Sequence, residues 1–309
     1  MNLQEICGQR QLTFMQKFDY IREAGTPAEL KAAQEIQAEL ASFGVDSHTE
    51  EFEIDTFKIL EATLTITEPY KKTYTVAGYG RCGNTPGGYI EAPFLYVENG
   101  DPISLSQAAG KIVMINGFMR PDVYQKLVKA GAVGFVTITG DPIDEGVDRI
   151  PAARALPRLP ETPIQGVVLH HVDAIEIVTK GASRARLSLK QELGKATSRN
   201  VVARIEGTDL AEEILTLTAH YDTVPQGPGA YDNMASCAII MELCRYFKEH
   251  QPRRTMEFVW FGAEEKGLVG SRAYVVKHEA ELEKHQFNMN VDLAGQLVGG
   301  TVVDVTGDP

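Results

Sequence analysis

Four short segments hold the side chains best suited to chemistry. Leu215-Thr216-Leu217-Thr218-Ala219-His220-Tyr221-Asp222 ends in an imidazole and a carboxylate, and Gly229-Ala230-Tyr231-Asp232-Asn233 adds a second carboxylate. Gly262-Ala263-Glu264-Glu265-Lys266-Gly267 carries an adjacent pair, and Asn290-Val291-Asp292-Leu293 one more. His220, Asp232, Glu265 and Asp292 would supply one imidazole and three carboxylates, a donor set that suits zinc and leaves a position for water. Two metal ions held close together need a carboxylate between them to offset their repulsion. Asp222 lies two residues past His220, so on an extended backbone both side chains can face one way. It can then accept the second imidazole N–H. Glu264 and Glu265 are neighbours, and neighbours in an extended segment point to opposite sides. One can ligate metal while the other takes a proton from the activated water, as amide hydrolysis requires. Each residue alone has a plainer reading: a structural histidine, an Asp232 helix N-cap, a pair of solvated glutamates. Their common place just past hydrophobic strands favours the joint reading.

Those strands belong to an alternating pattern that begins at Asn200. Val201–Ile205, Ile214–Thr218, Met256–Phe261 and Phe287–Leu293 read as strands, Asp232–Glu249 and Leu268–Lys277 as helices. Alternation of this kind predicts an α/β layered fold with its site at the strand ends. Near the N-terminus, Thr26-Pro27-Ala28-Glu29 predicts a helix start with a capping box, and Leu30, Ala33, Ile36, Leu40 and Phe43 recur at helical spacing up to Gly44. Between about Thr56 and Ala196 glycine and proline become frequent and short β-rich runs dominate, which reads as a separate inserted module. The Asp141–Pro163 loop, rich in proline and charge, is expected to be exposed.

The four motifs together resemble the M28 family of metallopeptidases. The likeness runs over His220-Tyr221-Asp222, Gly229 to Asn233, Gly262 to Ser271 and Asn290-Val291-Asp292, with Ser198 to Val202 and the N-terminal helix in support. It implies a three-layer α/β/α zinc-exopeptidase-like catalytic domain formed by residues 1–55 and 197–309. Residues 56–196 are similar to the β-rich protease-associated domain that many members carry. By the same resemblance His220 and Asp292 bind one zinc, Asp232 bridges two, and Glu265 binds the second. Glu264 is the general base and Asp222 orients His220. The implied activity is removal of amino-terminal residues from peptides. The family pattern also implies a histidine ligand after Asp292, yet none follows His285, so a C-terminally incomplete chain is expected. Tyr231 stands where the family often has aspartate and Ser236 where it often has glycine; neither is a ligand.

Composition narrows the partners. With 30 Lys and Arg against 42 Asp and Glu the net charge is −12, which opposes binding to nucleic acid or anionic membranes. The start Met1-Asn2-Leu3-Gln4-Glu5 lacks the basic-then-apolar pattern of a signal peptide. The cysteines Cys7, Cys82, Cys237 and Cys244 show no CxxC pairing, which fits free thiols in a reducing cytoplasm. Two other readings stay open: a carboxypeptidase or other amide hydrolase of the same fold, and a non-catalytic module whose insert binds peptides or a second copy in a homo-oligomer. Cobalt or manganese could occupy the same ligands.

Overall fold

The computed structural model describes residues 5–117, 119–140, 151, 153–157, 159–295, 300 and 302–306. Along them run α1 (Gly8–Met15), α2 (Pro27–Ser42), β1 (Ser47–Glu68), β2 (Lys72–Tyr74), β3 (Val76–Gly80), β4 (Ile90–Tyr96), α3 (Pro102–Leu105), β5 (Ile112–Ile115), α4 (Pro121–Lys129) and β6 (Gly134–Thr139). Next come β7 (Arg154–Ala155), β8 (Gln165–His170), α5 (His171–Thr179), β9 (Arg184–Ile205), β10 (Leu210–His220), α6 (Ala235–Glu249), β11 (Arg254–Phe261), α7 (Val269–Lys277) and β12 (His285–Asn290). The chain forms two compact units, Met1–Ile54 with Lys195–Pro309, and Asp55–Gly194. Most of the Asp141–Pro163 loop lies outside the described residues.

In the first unit β12, β10, β11 and β9 are neighbours in that order. β10 pairs parallel with β11 and with β12, and β9 runs antiparallel to β11. The register sets His220 opposite Phe261 and Thr218 opposite Asn290, so the three parallel strands end along one edge. The loops that leave these three strands therefore emerge side by side.

Strand alternation sorts the core. Val201, Ala203, Leu217, Ala219, Phe258 and Trp260 point to the face covered by α1, α2 and α6. Val202 and Val259 point to the opposite face, against Tyr274 of α7. β11 is covered on both sides, which is why Thr255 to Trp260 form an unbroken buried run. Cys237 and Cys244, seven apart on α6, both face the first core.

Helix α2 starts where its sequence requires. The Thr26 hydroxyl accepts from the Glu29 N–H at 3.3 Å, and Pro27 fills the first turn. Two details differ from expectation. Leu30 is exposed, and the buried stripe runs through Glu29, Ala32, Ala33, Ile36 and Leu40. The Glu29 carboxylate does not reach back to Thr26; it accepts from the Gly25 N–H at 2.7 Å and from the Ser198 hydroxyl.

The second unit has its own two cores. β4, β5, β6 and β8 pair parallel in that order, and β3 adds antiparallel to β8. One core gathers Tyr124, Leu127, Phe135 and Leu189, the other Ile112, Met114, Val136 and Val167. This unit carries α3, α4 and α5 besides its strands, so it is mixed α/β in character.

Glu29 yields a prediction. Burial pushes its carboxyl from 4.5 up to about 7, against the bonds from Ser198 and Gly25. The folded protein thus holds a proton that the unfolded chain releases, and stability falls as pH rises from 4.5 to about 7. The stability advantage of wild type over Glu29→Gln should shrink by about 3 kcal/mol across that window. Urea melts at each pH check this, and parallel curves for the two proteins would refute it.

Candidate metal centre

His220 is the last residue of β10 and is buried. Its Nε2 lies 3.0 Å from an Asp232 oxygen, 3.6 Å from Asp292 and 4.0 Å from Glu264. Nδ1 lies 3.5 Å from Oδ1 of Asp222, which is too long for a good hydrogen bond. That nitrogen has no hydrogen-bonding partner among the described residues. Asp222 is fully buried, and its two oxygens accept from the Glu264 N–H at 3.0 Å and the Glu265 N–H at 3.2 Å. This second task of Asp222 is not legible in its spacing from His220.

The glutamate pair is held by a turn, contrary to the extended segment expected from the sequence. Ala263 has a positive φ of 54°, and the Glu264 carbonyl accepts from the Gly267 and Leu268 N–H groups, each at 2.8 Å. The turn bends both carboxylates toward one side, and an oxygen of each comes within 4.8 Å of a His220 nitrogen. Alternation along a strand does not separate them, because no strand continues past Phe261. Beneath the turn Asn200 accepts from the Gly262 N–H at 3.2 Å and donates to the Gly270 carbonyl at 2.9 Å. A Cβ at Gly270 would overlap the Gly262 carbonyl oxygen, so glycine is required for this approach.

Asp232 lies in an irregular stretch ahead of α6, not at its cap. The helix begins at Ala235, and Met234 is its N-cap, without a side-chain hydrogen bond. Asp232 has φ −113° and ψ 91°, outside the helical region, and its side chain is free to face His220. Asn233, fully buried, donates to the Val291 carbonyl at 3.0 Å and accepts from the Leu293 N–H at 3.3 Å. It thereby fixes the segment carrying Asp232 to the one carrying Asp292. Nothing in the sequence singles out Asn233 except its place beside Asp232.

Two sets of side chains converge closely enough to share an ion: His220 with Asp232 and Asp292, and His220 with Glu264 and Glu265. Burial opposes a charge on His220, yet the carboxylates of Asp222, Asp292 and Glu264 raise it to about 11. His220 in turn lowers the Asp292 carboxyl. Burial, then the negative charge of Asp232, raises Glu265 to about 7, and burial also raises Glu264. The cluster thus carries more negative charge than one imidazolium offsets. Imidazole nitrogen and carboxylate oxygen are also the donors zinc takes, so the residues fit that ion.

Residues 200–308 match the model of peptidase family M28. The match spans His220, Asp232, Glu264, Glu265 and Asp292. The chain is similar to aminopeptidase YwaD of Bacillus subtilis, 29% identical over 286 residues, covering 89% of this chain and 58% of that protein. Carboxypeptidase Q of Mus musculus is 28% identical over 287 residues, covering 85% of this chain and 59% of that one. The chain spans less than three-fifths of the length of these two relatives. The solved structure of BSAP, a zinc aminopeptidase from Bacillus subtilis, superposes with a TM-score of 0.72 at 25% identity, covering 94% of this chain and 70% of the other. An aminopeptidase from Aneurinibacillus sp. strain AM-1 shares the fold, with a TM-score of 0.75 at 23% identity over 95% of this chain and 72% of its own.

Asp222→Asn tests the geometry, because one amide oxygen cannot replace two carboxylate oxygens facing two N–H donors. Zinc affinity should fall about 10- to 100-fold, with a stability loss of about 1–3 kcal/mol. Calorimetric zinc titration and urea melts read the two effects, and wild-type affinity in the variant would contradict this assignment.

Proposed function

We propose that this chain is the catalytic part of a zinc-dependent aminopeptidase that releases amino-terminal residues from peptides. The convergence of His220, Asp232, Asp292, Glu264 and Glu265 at one sheet edge carries this reading. His220 and Asp292 would hold one zinc, Glu265 a second, with Asp232 between them. Zinc supplies Lewis acidity that polarises a carbonyl and acidifies water. Glu264 takes a proton onto its carboxylate from the attacking water and returns it to the leaving amine nitrogen. Its raised affinity for protons, caused first by burial, suits that exchange. Asp222 keeps the glutamate turn in place beside the imidazole, and α2 with α6 excludes water from the far side of β10 and β11.

We assign residues 56–196 to a protease-associated domain inserted between the 1–55 and 197–309 parts of a three-layer catalytic domain; the separate compactness of Asp55–Gly194 supports this. The four free cysteines favour a reducing, cytoplasmic setting. A carboxypeptidase reading draws on the carboxypeptidase Q relative, and the two differ in which blocked peptide is cut. The zinc-loaded protein should cleave peptides with a free amino terminus and spare those acylated there, as followed by chromatography of the products. Cleavage of N-acylated peptides alone would transfer the assignment to carboxypeptidase. Replacing Glu264 by Gln should lower kcat about 100- to 10,000-fold with zinc content unchanged by metal analysis; retained turnover would remove Glu264 as the base.

A further inference from the structure

Arg22 is completely buried, although arginine normally lies at the surface. Among the described residues no carboxylate forms an ion pair with it. Its guanidinium is surrounded by backbone carbonyls from three separate stretches. Nε donates to the Tyr221 carbonyl at 2.5 Å, and Nη1 to Phe18 at 3.2 Å, Tyr20 at 3.3 Å and Pro228. Nη2 donates to the Gly229 carbonyl at 3.0 Å, and the Arg22 N–H donates to the Thr223 hydroxyl at 3.0 Å.

A buried cation without a counter-ion is costly, and an apolar side chain would fill the same space at lower cost. What an apolar side chain cannot do is bond these carbonyls together. Tyr221 separates His220 from Asp222, while Pro228 and Gly229 lead directly into Asp232. Residues 221–228 make no strand or helix, so the loop lacks a ladder of its own. Gly229 takes a φ of 56°, and a Cβ there would overlap the Asp232 carbonyl oxygen. The turn into Asp232 is therefore tight, and the Arg22 fork holds its entry.

We propose that Arg22 is a positioning residue for the metal centre, fixing the Asp232 loop against the β10 end that carries His220. The proposal rests on the metal reading above. Planarity and divergent donors matter here, and lysine, a point charge on a flexible stem, does not reproduce them. In Arg22→Ala and Arg22→Lys, zinc affinity by calorimetry should fall roughly 10- to 100-fold, and the cobalt-substituted visible spectrum should change. Arg245→Ala serves as control, since Arg245 pairs with Glu39 at 2.8 Å away from the site. It should lower the melting temperature while keeping wild-type zinc affinity. If Arg22→Ala does not fold, Arg22→Lys carries the test alone. Wild-type affinity and spectrum in a folded Arg22 variant would overturn the proposal, as would an equal loss of affinity in Arg245→Ala. Asp232→Asn separates the two levels. If it too binds zinc like wild type, the metal reading fails and the role of Arg22 fails with it.

Discussion

Repulsion among closely set carboxylates is the constraint on which the first unit is built. Asp222, Asp232, Glu264, Glu265 and Asp292 share one edge of the sheet, gathered around the His220 imidazole. Lys266, next to Glu265 in sequence, is turned to Glu23 at 3.1 Å instead. Such a group of acids would separate if the backbone let it. The observed remedy is to fix every backbone segment that carries one. Asp222 secures the glutamate turn, Asn233 joins the Asp232 and Asp292 segments, and Arg22 grips the loop between Thr223 and Gly229.

This anchoring depends on the sheet beneath. Parallel pairing of β10 with β11 and β12 delivers three chain ends to one edge in fixed register. Antiparallel neighbours would have sent alternate ends to opposite sides and divided the ligand set. The run of β11 from Thr255 to Trp260 is buried, covered on both faces. The glutamate turn begins directly at the end of this strand. By contrast β12 is exposed along most of its length, and Asp292 relies on Asn233 and on the Val291 N–H, which donates to the Thr218 carbonyl at 2.8 Å.

Much of this is readable in the sequence because the relevant signals are local. Apolar runs mark β10 and β11, Thr26-Pro27 marks the start of α2, and acids just past strand ends mark the site. The failures are of another kind. Strand geometry would set the glutamate pair apart, but the chain turns at Ala263, and no nearby residue type announces a positive φ at an alanine. An acid ahead of a helix resembles a cap and points to Asp232 as the start of α6, whereas here the carboxylate turns away to His220. Glu29 matches a capping box by spacing, but its carboxylate bonds to Gly25 and Ser198, the latter 169 residues distant. Long-range partners leave no periodic trace.

Arg22, Asn233 and Asn200 share that property, and a single cause explains why the sequence does not reveal them. Each acts on backbone carbonyls or N–H groups of remote segments, so its chemistry is set by where the fold brings those groups. A side chain that binds metal or protons is recognisable by type; one that binds the main chain is not, because every residue offers the same partners. The first kind defines what a site can do. The second decides whether its members stand close enough to do it, and here all three lie buried where water cannot compete for those bonds. The reactive side chains can thus be named from their order along the chain. The residues that hold them together need the fold.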